Sequence, residues 1–309
     1  MLFALAEDAA AADGIATTVL LCPEAQASLQ TSEPGVLTGA DISINVRATA
    51  PDSLVDQLRA ITRDYDVVLP VAPECDQLLQ NVSVILEATD CRTLLPTTAM
   101  IDICGDKLKT WRSYSTVVPM LSCEKPKPGE ESLAQEWVIK PRFGAGCDGV
   151  TRCCSVAACP DDFIFQPWID AQSYSIGVVS DGARQWQLPV ASQNIDWQAG
   201  VPQYTGGSIP ARLDQSISRE MASIVDLILQ KSEPFAGYMG FDFLVRSSDS
   251  KVFLNEINPR VCTSYIGYRR ILSNNPIELM LGRELTPELS VQDTFVSFDS
   301  FHTACSLAR

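Results

Sequence analysis

The sequence predicts an α/β segment followed by a larger α+β region, on three observations. Strand-like and helix-like stretches alternate over about the first 100 residues, which implies a parallel sheet with helical crossovers. Beyond Trp137, strand-like runs follow one another with glycine-rich or polar turns between them, the pattern of antiparallel pairing. The chain has 309 residues, 46% of them apolar, enough to bury a core as one large domain or two to three smaller ones.

Residues 2–12 read as a helix stopped at Asp13-Gly14, and Thr17–Leu21 reads as a strand. A second strand is predicted over Ile42–Val46. Ser53–Arg63 has apolar residues at 54, 55, 58 and 61 behind a Pro-Asp-Ser start, which predicts a helix. Tyr65–Pro70 reads as a short buried strand, followed by the Ala72-Pro-Glu74 turn and an amphipathic helix near Cys75–Ala88. Glu74 follows a strand end, where open sheets bind ligands; capping the next helix is the other reading. Gly105–Arg112 starts a basic helix whose Lys107 either reaches a phosphate or belongs to a solvated face. Residues 124–136 read as a polar loop or linker. Trp137–Pro141 is predicted as a strand with Lys140 inside it.

Gly144, Gly146 and Gly149 spell G-x-G-x-x-G. A dinucleotide fingerprint needs a helix immediately afterwards, whereas Val150-Thr-Arg-Cys-Cys154 suits a returning strand. What remains is a glycine-rich flap between two strands, able to lay backbone N–H groups over a polyphosphate. Lys140 and Arg142 would add positive charge beside it. Asp162–Ile169 is a strand running into a proline-containing hinge, where Trp168 is either core or the wall of a flat aromatic pocket. Tyr174–Val179, Gln185–Val190 and a turn at Gly206-Gly207 continue the antiparallel region. Arg219–Lys231 reads as an amphipathic helix, and the tail beyond Pro287 has no assignable pattern.

Tyr238–Val245 and Val252–Pro259 read as a hairpin turning at Ser247–Ser250. Centred near Asp249, it sets Asp242 opposite Glu256, and alternation places Asn258 on the same face. Phe241, Phe243, Phe253 and Ile257 then fall on the buried face. Two carboxylates and an amide oxygen at one spot repel each other unless a cation lies between them, and hard oxygen donors suit Mg²⁺. A surface hairpin with scattered acids is the competing reading, but it leaves Arg260, directly after Pro259, without a purpose.

A formal net charge of −15 argues against a nucleic-acid partner. No apolar run approaches a membrane span, and the acidic N-terminus lacks the basic start of a signal peptide. Eleven scattered cysteines suit a reducing cytoplasm. Cys147, Cys153, Cys154 and Cys159 lack the paired spacing of zinc sites and are expected to be small buried hydrophobes. The single histidine, His302, lies in the tail, so no base is placed for Ser–His or Cys–His chemistry.

A lysine in the first helix of the second region, a strand lysine before a glycine flap, a hinge and an Asp…Glu-x-Asn hairpin together resemble the ATP-grasp ligases. The likeness runs from about Gly105 to Arg270, with the segment before it similar to the family's N-terminal domain. Ala72-Pro-Glu74, Gly105-Asp-Lys107, Tyr204-Thr-Gly-Gly207 and Glu256–Gly267 narrow it to the branch containing the tyramine–glutamate ligases of methanofuran biosynthesis. Members of that branch occur with tetrahydromethanopterin-linked one-carbon metabolism. The resemblance implies a Rossmann-like pre-ATP-grasp domain over 1–103, a small subdomain with the flap over 104–169, and a catalytic subdomain over 170–309. The chain opens at the first helix, so the branch's opening strand and loop are expected to be missing.

In residue terms, the resemblance implies that Lys107, Lys140, Arg142 and the flap glycines Gly144 and Gly146 hold ATP phosphates. The hinge Gln166-Pro167-Trp168-Ile169 would bond adenine through its backbone, with Asp170 or Ser173 toward the ribose. Asp242, Glu256 and Asn258 would bind Mg²⁺, or Mn²⁺ in its place, and Arg260 would face the transferred phosphoryl group with Lys140. The implied reaction joins a small-molecule carboxylate to an amine through an acyl phosphate, with glutamate and a tyramine- or tyrosine-like amine as the branch's substrates. Two alternatives stay open: a non-catalytic nucleotide-binding protein with this fold, and a hydrolase using Asp242 and Glu256 as acid and base. Oligomeric state is open, a homodimer included.

Overall fold

The computed structural model describes residues 1–21, 44–48, 54–124, 136–154, 162–283, 288–299 and 305–308. Helix α1 (Leu2–Ala11) ends ahead of Gly14, and strand β1 (Thr17–Leu21) pairs in parallel with β2 (Ile44–Ala48). Helix α2 (Leu54–Asp64) precedes β3 (Val67–Val68), which runs parallel to β4 (Arg92–Thr93) with helix α3 (Leu78–Glu87) between them. The pairing is parallel as expected, but it forms two separate two-stranded ladders. β3 is shorter than predicted and half-buried rather than buried. The helix predicted near Cys75 starts as a 3-10 turn over Cys75–Gln77, with Asp76 and Gln77 in left-handed conformations.

Helix α4 (Thr98–Cys104) has no counterpart among the predicted elements. Its start is fixed by Thr97, whose hydroxyl accepts the Met100 N–H at 3.3 Å. Helix α5 (Lys107–Tyr114) follows at once, because the Asp106 carboxylate accepts the N–H groups of Leu108 and Lys109 at 3.0 and 3.4 Å. Strands β5 (Trp137–Pro141), β6 (Thr151–Cys153) and β7 (Phe163–Pro167) then form a small antiparallel sheet in the order β6-β5-β7. Residues 125–135 of the predicted linker, Cys159 and His302 lie outside the described residues, as do residues 42–43 of the second predicted strand.

A large sheet follows, built from β8 (Ala171–Asp181), β9 (Gln185–Gln187), β10 (Ala191–Gln198), β11 (Val201–Ile209), β12 (Ala236–Arg246), β13 (Val252–Asn258), β14 (Phe295–Asp299) and β15 (Cys305–Ala308). Its order is β13-β12-β8-β10-β11-β14-β15, with β9 also on β8. Gly206-Gly207 is not a turn. Both glycines lie inside β11, and the chain reverses at Ala199-Gly200, both at positive φ. A Cβ at Gly207 would run into the Ser192 carbonyl, which explains the glycine without a turn. Asn194 pairs with Gly206 and Ile195 with Tyr204, so Thr205 is the extra residue of a β-bulge.

Alternation along β12 divides the sheet's two faces. Met239, Phe241, Phe243 and Val245 face a core shared with helix α6 (Gln215–Leu229), α4 and α5, including Tyr114 and Val118. Tyr238 faces the other way, into a cluster with helices α7 (Tyr265–Ile271) and α8 (Pro276–Leu281) and with Leu5 of α1. Gly240, Asp242 and Leu244 share that second face farther along, where the small sheet, rather than a helix, stands opposite. The site lies in the gap. No helix among the described residues is long and apolar enough to cross a membrane.

Gly237 (φ 123°) ties this sheet to the N-terminal segment, because an added Cβ would come within 2.6 Å of the Leu94 carbonyl. Gly182 (φ 99°) also has a positive φ but faces open space. Gly237→Ala is expected to cost about 1–3 kcal/mol more than Gly182→Ala in urea unfolding, the excess being the packing conflict.

Candidate active site

The β12–β13 hairpin pairs Asp242 with Glu256, but not by simple alternation from the turn. Phe243 pairs with Leu254, so Asn255 is a bulged residue with no partner on β12. On the turn side of the bulge the faces are exchanged. Val252 and Leu254, not Phe253, join Phe241, Phe243 and Ile257 in the core. Phe253 lies on the opposite face beneath Arg246 and Lys251, at 5.3 and 5.2 Å from its ring.

Asp242 is held from both sides. Gln193 Nε2 donates to Oδ1 and Asn258 Nδ2 donates to Oδ2, each at 2.8 Å. Burial, then the adjacent Glu256 carboxylate, push Asp242 up to about 8. Burial alone would raise Glu256 as well, but Lys107 and Lys140 outweigh it and hold Glu256 below its ordinary range. The pair as a whole therefore holds one proton more tightly than ordinary carboxyl groups do.

Cations reach this pair from three places: the start of α5, strand β5 of the small sheet, and the residue after Pro259. Lys107, at the start of α5, donates to the Gly144 carbonyl at 2.8 Å and lies 3.5 Å from Glu256 Oε2. Lys140, on β5, donates to Asn255 Oδ1 at 2.8 Å. Burial lowers its pKa, while Glu256 works in the other direction. Arg260 Nε is 2.9 Å from both oxygens of Glu74, which is only 5% exposed. That pairing answers the two readings of Glu74: its side chain caps no helix and orients an arginine instead.

These groups line a cavity of about 490 Å³, within the range of small-molecule sites. Its walls include Lys107, Lys140, the flap residues Gly144–Asp148, the hinge residues Gln166–Ile169, Ser173, Asp242, Glu256, Asn258 and Arg260. A strand, not a helix, follows the flap glycines. Gly146 and Cys147 both have positive φ there, and burial pushes the Cys147 thiol up to about 11. Trp168 lines the cavity at the hinge, with the Arg152 guanidinium 4.1 Å from its ring and Trp197 edge-on at 4.7 Å. The Trp168 N–H is taken by the Glu136 carbonyl at 2.9 Å.

Two predicted residues do not come to the cavity. Arg142 turns to Asp106, with its Nε at 3.1 Å and a second bond from its NH2, so the helix-capping acid takes up its charge. Asp170 is exposed at the β7–β8 junction, and Ser173 lines the wall in its place. Cys154 is exposed rather than buried. Among the described residues no three His, Cys, Asp or Glu side chains are grouped to hold a metal, so the hairpin set needs the amide of Asn258 as its third member. Sequence reasoning missed Gln193, Asn255 and Trp197. The alternation of 193, 195 and 197 along β10 was the available signal for Gln193 and Trp197, while Asn255 depends on a bulge.

An α/β segment followed by two α+β units that close a cleft between a glycine flap and an acidic hairpin is the architecture of an ATP-grasp protein. The chain belongs to that family: the ATP-grasp domain model matches residues 104–264, just over half of the sequence, and the pre ATP-grasp 3 domain model matches 34–101. It is similar to a tyramine–L-glutamate ligase of Methanocaldococcus fervens, 27% identical over 206 residues, covering 66% of this chain and 62% of that one. The chain thus spans less than two thirds of that relative's length. A solved ATP-grasp superfamily protein from Archaeoglobus fulgidus superposes with a TM-score of 0.62 at 22% identity, covering 83% of this chain and 75% of that one. The biotin carboxylase domain of Hydrogenobacter thermophilus 2-oxoglutarate carboxylase, solved with MgADP and bicarbonate, gives a TM-score of 0.71 at 13% identity. That superposition covers 96% of this chain and 70% of the other.

Asp242 also makes a stability prediction. Its folded pKa of about 8 lies above its ordinary unfolded value, so between about pH 4 and 8 the folded chain binds more protons than the unfolded one. Without divalent ion, this contribution is present at low pH and lost as pH rises through that window. In EDTA, wild-type Tm minus Asp242→Asn Tm is expected to fall by about 3 °C or more from pH 5 to pH 8.5. A flat difference would mean that Asp242 is already ionised.

Proposed function

We propose that this chain is an ATP-dependent carboxylate–amine ligase that forms an amide through an acyl phosphate. The observation that carries the proposal is the meeting of Lys107, Lys140 and Arg260 with Asp242, Glu256 and Asn258 around one cavity. Membership of the ATP-grasp family and the similarity to a named ligase support it. The finer proposal is that glutamate is joined to a tyramine- or tyrosine-like amine in methanofuran-type cofactor biosynthesis, and it is drawn from that relative's name.

Asp242, Glu256 and Asn258 fit a divalent ion, because one carboxyl of the pair keeps a proton where a cation could instead balance both. Mg²⁺ bound there, or Mn²⁺ in its place, would neutralise charge on phosphate oxygens. The remaining roles fall to the chain itself. The hinge Gln166–Ile169 would seat the base, and the flap's N–H groups would cover the phosphates and exclude water that hydrolyses an acyl phosphate. Lys107 and Lys140 would hold the polyphosphate. Arg260, kept in place by Glu74, would steady the carboxylate and the moving phosphoryl group. Phosphoryl transfer needs positioning and charge neutralisation more than covalent help, which suits a site with no histidine among its lining residues.

The test is ADP release measured across a panel of carboxylic acids and amines. Release is expected only when acid, amine and Mg²⁺ are all present. Glu256→Ala is expected to lower the rate by about 100-fold or more while leaving the far-UV CD spectrum unchanged. Wild-type turnover without divalent ion would refute the metal assignment. Nucleotide binding with no ADP release from any pair would refute the ligase proposal.

A further inference from the structure

Asn255 owes its position to the bulge. With Asp242 opposite Glu256, an unbroken ladder would next pair Phe243 with Asn255 and send the amide into the core beside a fully buried ring. The bulge turns it to the cavity instead, where its Oδ1 accepts the Lys140 ammonium at 2.8 Å. The two residues come from different sheets, so the bond crosses the cleft.

The chemistry of the acceptor matters. An ammonium withdrawn from water needs a hydrogen-bond acceptor. A carboxylate at this point would orient Lys140 but also cancel its charge. An amide orients it and leaves the charge for a ligand. Lys107 follows a similar logic on the other side, since its 2.8 Å bond goes to the Gly144 carbonyl and its carboxylate contact is longer, at 3.5 Å.

We propose that Asn255 is a positioning residue that aims Lys140 into the cavity without neutralising it, so that preference for phosphorylated over unphosphorylated nucleosides depends on position 255 being uncharged. This rests on the nucleotide-binding part of the function proposed above.

The test is isothermal titration calorimetry of MgATP, MgADP and adenosine with the full chain, comparing wild type, Asn255→Asp and Asn255→Ala. Asn255→Asp is expected to raise the Kd for MgATP about tenfold or more, MgADP by less, and adenosine by no more than about twofold. Asn255→Ala is expected to keep this ranking with smaller changes, and it decides the matter if the Asp variant does not fold. An equal loss for all three ligands would mean that Asn255 only holds the lobes together, and unchanged MgATP affinity would mean that it has no role; either overturns the proposal. If wild type binds none of the three, the nucleotide reading fails. A thermal-unfolding cycle of Lys140→Met, Asn255→Ala and the double variant, without ligand, tests the bond on its own: coupling is expected, and additive losses would overturn it.

Discussion

A half-buried pair of carboxyl groups is the constraint on which the rest of this structure depends. Asp242 and Glu256 face each other in one hairpin, and two like charges cannot be kept there without compensation. Two amide donors, Gln193 and Asn258, hold the first, and two lysines, Lys107 from α5 and Lys140 from β5, hold the second below its ordinary range. The acids thus lie on the large sheet, while their lysine partners come from the start of α5 and from β5 of the small sheet. Their approach balances the charge at the hairpin.

Hydrogen bonds at several points join the lobes and frame the cleft. Arg142 runs to Asp106, so the flap's first residue is bound to the start of α5, and Lys107 returns the connection to Gly144. At the other end of the cleft, the Arg152 N–H donates to the Gly200 carbonyl at the tip of the β10–β11 hairpin, at 2.7 Å. Beside that contact, Arg152, Trp168 and Trp197 stack and pack edge-on. The hinge is thus braced by aromatic and backbone contacts, and the flap by charged ones.

Part of this was legible in the sequence, because period-two alternation puts Glu256 and Asn258 on one face and a lysine inside an apolar strand marks Lys140, while the pairing of Asp242 with Glu256 was anticipated without the bulge that sets it. The flap was separable from a dinucleotide loop for the same reason, since Val150–Cys154 cannot begin a helix convincingly. What escaped was set by contacts distant in sequence. Arg142 looks like a phosphate ligand until Asp106 is seen beside it. Phe253 changes faces because of one extra residue, and a pair of glycines inside β11 resembles a turn until the Ser192 carbonyl is found against them. Helix α4 was missed because its seven residues are too few to show a period.

The two bulges, at Thr205 and Asn255, have a consequence for how this chain can change length. Each acts as a phase step, with the strand reading in one frame before it and the opposite frame after it. Tyr204 and Asn255 both line the cavity under that arrangement. Removing the extra residue itself would restore an unbroken ladder, at the loss of the cavity-facing Asn255 in the second case, whereas adding or removing any other residue of these strands would put their inward and outward sides out of step. Insertions and deletions should therefore gather in the connecting loops and avoid these two strands, although by composition alone the strands look no less tolerant.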